Sequence, residues 1–174
     1  MKKRYVLLGL MLSAPTCFAE TSNAAQANSV EKTISKFHVG AGFSYKLLHL
    51  NAEWVNPYGI DGIAYAKAGA FLSGDRVPGA QLGFRVPVFL TGKDKNGYYV
   101  GTYAGHVEQK SVDGDDKARL GLGVDLAYVM LSPERLSTFS IGVAVAEKLT
   151  NKDDSVVAEV EPRLQFSYTL SFGL

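Results

Sequence analysis

The sequence predicts an all-β protein: an eight-stranded antiparallel, up-and-down transmembrane β-barrel spanning 37–174, behind a cleaved signal peptide. Three observations carry that prediction. The first is the final stretch, Arg163 to Leu174, where Leu164, Phe166, Tyr168, Leu170, Phe172 and Leu174 alternate with Arg163, Gln165, Ser167, Thr169, Ser171 and Gly173. A period of two gives a strand with one apolar and one polar face. At about 3.3 Å per residue such a strand, tilted, crosses a bilayer that needs only ~9–11 residues. The second is the recurrence of segments of this kind, separated by turn chemistry. The third is a hydrophobic content of 47% with no window near the ~20 apolar residues of a membrane helix, so strands must carry the apolar surface.

The chain opens with a charged Met1-Lys2-Lys3-Arg4, an apolar Tyr5 to Leu12, and Cys17-Phe18-Ala19 at the cleavage positions. That is the pattern of a secretory signal over 1–19. Acylation of Cys17 is the alternative, although Ala14-Pro15-Thr16 fits it poorly. Cleavage after Ala19 removes the only cysteine, and with it any disulfide, thiolate nucleophile or cysteine metal ligand. Loss of Lys2, Lys3 and Arg4 takes Lys+Arg from 18 to 15 against 17 acidic residues, a net charge of about −2 that gives no support to nucleic-acid binding. Residues 20–36 read as a polar periplasmic lead-in.

The strands follow in order. The first, about 37–46, alternates Phe37, Val39, Ala41, Phe43 and Tyr45 with His38, Gly40, Gly42 and Ser44; the second, about 47–56, sets Leu48, Leu50, Ala52 and Trp54 against His49, Asn51 and Glu53. A single strand across both is too long, so the chain reverses near Lys46-Leu47. Asn56-Pro57-Tyr58-Gly59 is a turn. The third strand, about 60–72, sets four alanines against Tyr65 and Lys67, and Ser73-Gly74-Asp75-Arg76 turns it. The fourth, about 79–91, alternates Leu82, Phe84, Val86, Val88 and Leu90 with Gln81, Gly83 and Arg85, and Pro87 implies a bulge or kink there. After the Gly92–Gly97 turn, the fifth strand, about 97–109, has no clear face assignment. Lys110 to Lys117 reads as a hydrophilic loop. The sixth, about 118–131, sets Leu120, Leu122, Val124, Leu126, Tyr128 and Met130 against Arg119 and Asp125. Past Ser132-Pro133-Glu134-Arg135 the seventh covers about 137–149, and after a polar loop at Asn151 to Ser155 the eighth runs from about 157 to 174.

Eight is an even number, so both termini lie on one side, the periplasmic one. Trp54, Tyr58, Tyr98, Tyr99, Tyr128 and Phe172 then fall near that rim, as an aromatic girdle. The pattern resembles the small eight-stranded outer-membrane β-barrel proteins of Gram-negative bacteria over nearly all of 37–174. The resemblance implies an outer-membrane location, contact with its lipids, and a final strand that is the signal for the barrel-assembly machinery. Leu174 stands where those proteins end in an aromatic, and Ser167 where glycine is common.

The polar sets face a lumen just wide enough for side chains or one small ligand. Glu53, Asp125 and Glu161 against Lys67, Arg85 and Arg163 supply the partners for a charge network that closes it. The expected role is therefore a non-catalytic, monomeric envelope or surface-interaction protein. A narrow channel or small-solute carrier is the alternative, and an outer-leaflet lipid A-modifying enzyme the second. For the enzyme, His106, Ser111 and Asp113 cluster in one loop region and His49 falls on the same side as Ser73 and Asp75, but neither set has the spacing of known lipid hydrolases or acyltransferases. Three scattered histidines give no metal-ligand spacing, and Asp113-Gly114-Asp115-Asp116 lacks the rest of a calcium loop. No cofactor is expected. A soluble β-sandwich, with the apolar faces packed on each other, is the competing fold.

Overall fold

A computed structural model describes residues 33–151 and 155–174; the signal and most of the lead-in lie outside the described residues. The chain is all-β. Its strands are β1 (Phe37–Ser44), β2 (Leu47–Val55), β3 (Ile63–Phe71), β4 (Pro78–Pro87), β5 (Gly97–Val112), β6 (Asp115–Ser132), β7 (Arg135–Ala146), β8 (Leu149–Thr150), β9 (Val156–Ala158) and β10 (Pro162–Gly173). Eight of them close a barrel in the order β1-β10-β7-β6-β5-β4-β3-β2, every pair antiparallel. Closure is made by β1 against β10, from His38↔Gly173 to Ser44↔Ser167. The β8–β9 pair is a separate ribbon at the end away from the termini.

The barrel is inside-out relative to a soluble core. Outward-facing Leu50, Leu82, Leu122 and Leu164 are 71%, 66%, 64% and 71% exposed, while inward-facing Arg85, Arg119, Lys67 and Glu53 are 1%, 1%, 4% and 3% exposed. No sandwich partner covers the apolar face among the described residues. The alternation seen in the sequence thus separates the two sides of one closed sheet.

Three expectations need correction. The eighth strand does not run unbroken from 157: Val156–Ala158 leaves to pair with Leu149–Thr150, and Pro162, which has no N–H to give a ladder, opens β10. The Lys110–Lys117 loop is a hairpin. Its ladder continues to Val112↔Asp115 around Asp113 (φ 55°) and Gly114 (φ 87°), an Asp-Gly pair suited to the two positive φ angles of a tight reversal. The irregularity expected at Pro87 is absent, because β4 ends there. It falls instead in β5, where the register shifts between His106 and Glu108.

That bulge reverses the parity of β5. Below it Tyr99, Gly101 and Tyr103 face in; above it Glu108 and Val112 do, and Val107 and Glu108 are both buried at the crossing. The bulged hairpin leans over the β3–β4 turn, where Asp116 Oδ2 accepts from the Asp75 backbone N–H at 2.8 Å and from Gln109 Nε2 at 2.7 Å.

Candidate functional site

The lumen is the place where chemistry-bearing side chains converge, and the register explains how they fit. Along one layer the inward positions run Glu53, Tyr65, Gly83, Tyr103, Gly123, Ala144 across successive strands; the next runs Ile63, Arg85, Gly101, Asp125, Gly142, Gln165. From Tyr65 to Gly123 in the first layer and from Arg85 to Gln165 in the second, large and small positions alternate, so a large side chain lies over a small neighbour. A Cβ on Gly83 would stand 2.3 Å from the Tyr65 ring, and one on Gly123 would stand 2.2 Å from that of Tyr103. Gly101 is the gap through which Arg85 reaches Asp125: a Cβ there would meet Asp125 Oδ1 at 2.4 Å and Arg85 Cγ at 2.5 Å.

Arg85 and Asp125 form the central ion pair, with Nη2 to Oδ2 at 2.6 Å and Nε to Oδ1 at 3.3 Å. This two-point geometry is the strong form of a guanidinium–carboxylate contact. The Arg85 guanidinium also lies 4.3 Å over the Tyr65 ring, with Lys67 Nζ 5.1 Å from the same centroid. Lys67 has no carboxylate within 4.0 Å among the described residues. It donates to Ser44 Oγ at 2.9 Å and Ser167 Oγ at 3.4 Å, and Ser167 in turn bonds Ser140 at 2.8 Å. Glu53 likewise finds polar partners and, among the described residues, no cation within 4.0 Å: its partners are Asn51 Nδ2 at 3.0 Å and, through a short bond, the Ser171 hydroxyl. The expected network is therefore half ionic and half hydroxyl-mediated. Both kinds of contact satisfy a buried charge without water.

Glu161 and Arg163 do not belong to it. They lie at the far rim, 63% and 38% exposed, where Arg163 Nη1 meets Glu108 Oε1 at 3.0 Å and Nη2 meets Glu161 at 3.7 Å. Glu108, which sequence reasoning missed, is the hub of this second cluster. Its other oxygen accepts from Arg119 Nη1 at 2.5 Å. Arg119 also donates to the carbonyls of Glu147 and, at 2.9 Å, Glu159, tying both arms of the β7–β10 connection across the mouth. The parity reversal hid Glu108, because counting by two from Tyr99 places it outside.

At the end that holds the termini the lumen is closed by apolar side chains: Val55, Ile63, Tyr99, Val129, Leu131 and Leu136, with Ile34 of the lead-in packed on them. The lead-in is also stitched to the barrel, since Ser35 Oγ donates to the Leu174 carbonyl at 3.0 Å and the Val55 N–H to the Lys36 carbonyl at 2.8 Å. Tyr99, expected in the girdle, points inward here. It is 3% exposed and donates its hydroxyl to the Lys95 carbonyl at 3.1 Å. The other five girdle residues lie at this end and face outward, and Phe37 and Phe89 join them. Phe37 stacks on Trp54 at 5.3 Å, Trp54 meets Tyr58 at 4.7 Å, Tyr98 meets Tyr128 at 5.2 Å and Phe89 at 6.1 Å, and Phe172 is 55% exposed.

Between the two closures, a polar cavity lined by Lys67, Tyr65, Tyr103, Asp125, Ser140 and Ser167 has a volume of about 10 Å³, room for roughly one water molecule. Inside it Ser44 Oγ lies 3.0 Å from His49 Nε2, a serine–histidine contact. Among the described residues no geometric hydrogen bond reaches His49 Nδ1, and the serine also serves Lys67. Both side chains are buried, Ser44 6% and His49 2% exposed. His106 Nδ1 accepts the Ala80 N–H at 3.1 Å and makes no bond to Ser111 or Asp113 among the described residues. No group of three His, Cys, Asp or Glu is placed to hold a metal ion among the described residues. Compared with known proteins, the chain matches no family model, no curated protein and no solved structure.

Proposed function

We propose that this protein is a non-catalytic outer-membrane β-barrel, monomeric, surrounded by outer-membrane lipid and inserted by the barrel-assembly machinery through β10. Its contribution is to envelope structure and surface interaction, and its lumen is a plug. The observation that carries the reading is the inside-out surface: large apolar side chains stand exposed around a barrel whose charges are buried within. Water is a poor solvent for such a face, and a hydrocarbon layer is a good one. The plug reading is supported by the apolar closure at one end, the Glu108 cluster at the other, and a cavity of one-water size between them.

Refolding into detergent, followed by gel mobility with and without boiling, tests the barrel in its membrane-like state, and planar-bilayer recording tests the plug. The expected result is a heat-dependent mobility shift without discrete currents. Solubility without detergent and no shift would overturn the membrane reading. A shift with steady single-channel currents would overturn the plug and favour a solute path along Arg85 and Asp125.

A further inference from the structure

Two neighbouring turns at the end that holds the termini present side chains that a solvated turn does not need to present. In the β4–β5 connection, Phe89 (φ 53°) and Leu90 (φ 65°) are consecutive left-handed residues, 73% and 106% exposed. In the β2–β3 connection, Tyr58 (φ 52°) is 88% exposed and Ile60 is 57% exposed. Left-handed backbone is disfavoured for Phe, Leu and Tyr, and such strain persists where the surroundings hold it. Here the surroundings do. Val88 N–H donates to the Tyr98 carbonyl at 2.8 Å, Thr91 N–H to Val88 at 3.0 Å, and Tyr98 N–H to Thr91 Oγ1 at 3.0 Å. The two turns are also tied to each other, Asn56 Nδ2 to Asp94 Oδ1 at 2.5 Å and Lys93 Nζ to Asp61 Oδ1 at 3.2 Å.

The occupant of this patch follows from what it continues and what borders it. Phe89 packs on Tyr98 and Tyr58 on Trp54, so the patch extends the aromatic ring already on the barrel's outer face. The charges beyond it, Lys93, Asp94 and Lys95, face the neighbouring turn, with Lys93 paired to Asp61 and Asp94 to Asn56. The β6–β7 turn across the barrel carries Pro133, Glu134 and Arg135 instead. Apolar tips that continue an aromatic ring fit a lipid surface.

We infer that the paired β2–β3 and β4–β5 turns form a membrane-dipping foot, with Tyr58, Ile60, Phe89 and Leu90 among lipid acyl chains. The inference rests on the membrane reading proposed above. Its consequence is a barrel seated unevenly, with the β2–β5 sector sunk deeper than the β6–β7 sector.

The test places a tryptophan probe in each sector, in a Trp54→Phe background. Leu90→Trp and Ile60→Trp report the foot and Glu134→Trp the opposite turn. The protein is reconstituted in phosphatidylcholine vesicles containing phosphatidylglycerol, some with brominated acyl chains. The expected result is several-fold stronger bromine quenching at positions 90 and 60 than at 134. Each variant is first checked for its heat-dependent mobility shift, and two probes in the foot guard against one failing to fold. Equal quenching at all three positions, or positions 90 and 60 quenched only by aqueous acrylamide, would overturn the foot and leave the patch to a protein ligand. Failure of the protein to enter vesicles at all would instead overturn the membrane reading beneath it.

Discussion

At the scale of single residues, the determinants of this lumen are small side chains as much as charged ones. Arg85 and Asp125 pair because Gly101 stands between them in the ladder and leaves the space they cross. Asp125→Ala strands a buried guanidinium, and we expect a loss of about 3–5 kcal/mol in detergent-refolded protein, read as a lower urea midpoint. Arg85→Met combined with Asp125→Val removes both charges and should recover most of that loss; if the double variant is no better than the single one, the pair is not the origin of the cost. The charged members were legible in the sequence, because alternation alone puts Glu53, Lys67, Arg85 and Asp125 on one face. Their partners were not. Pairing by opposite charge overlooks that a hydroxyl opposite a lysine satisfies it too, as Ser44 does for Lys67. Tyr99 was misread for a related reason: position near the rim says which end a residue occupies, and only parity says which side.

At the scale of elements, the informative feature is the bulge in β5. Alternation marked every strand whose ladder is regular, and it failed where two successive residues, Val107 and Glu108, both face in. A reader counting by two has no means of detecting the extra residue, since nothing in its chemistry announces it. The Asp113-Gly114 reversal was, by contrast, readable from its dipeptide, but the charged residues around it suggested a loop. Deleting Val107 tests what the bulge does. Glu108 should keep its inward position, the barrel should still close, and the hairpin should straighten away from the β3–β4 turn. The Asp75 amide, which now donates to Asp116, should then exchange its hydrogen markedly faster, while amides in the middle of β6 stay protected. Unchanged protection at Asp75 would show that the lean does not depend on the bulge.

At the scale of the whole molecule, the proposed membrane environment rests on the distribution of polarity. Val124, in the middle of β6, is 55% exposed on the outward face. Val124→Lys should cost about 2–4 kcal/mol in a bilayer, measured by unfolding from vesicles, whereas the same change on a water-facing sheet should cost almost nothing. The barrel and its strand order were legible because every connection joins neighbours and an even strand number brings the ends together. Closure itself has a kinetic consequence. His38 and Gly173 are ladder partners at opposite ends of the described chain. Until β10 arrives, the other seven barrel strands form an open sheet with two bare edges, an invitation to pair with the wrong molecule. The contact that ends this state spans nearly the whole fold, so it is slow to find. The barrel is therefore most vulnerable while its other seven strands are paired and the β1–β10 seam is still open.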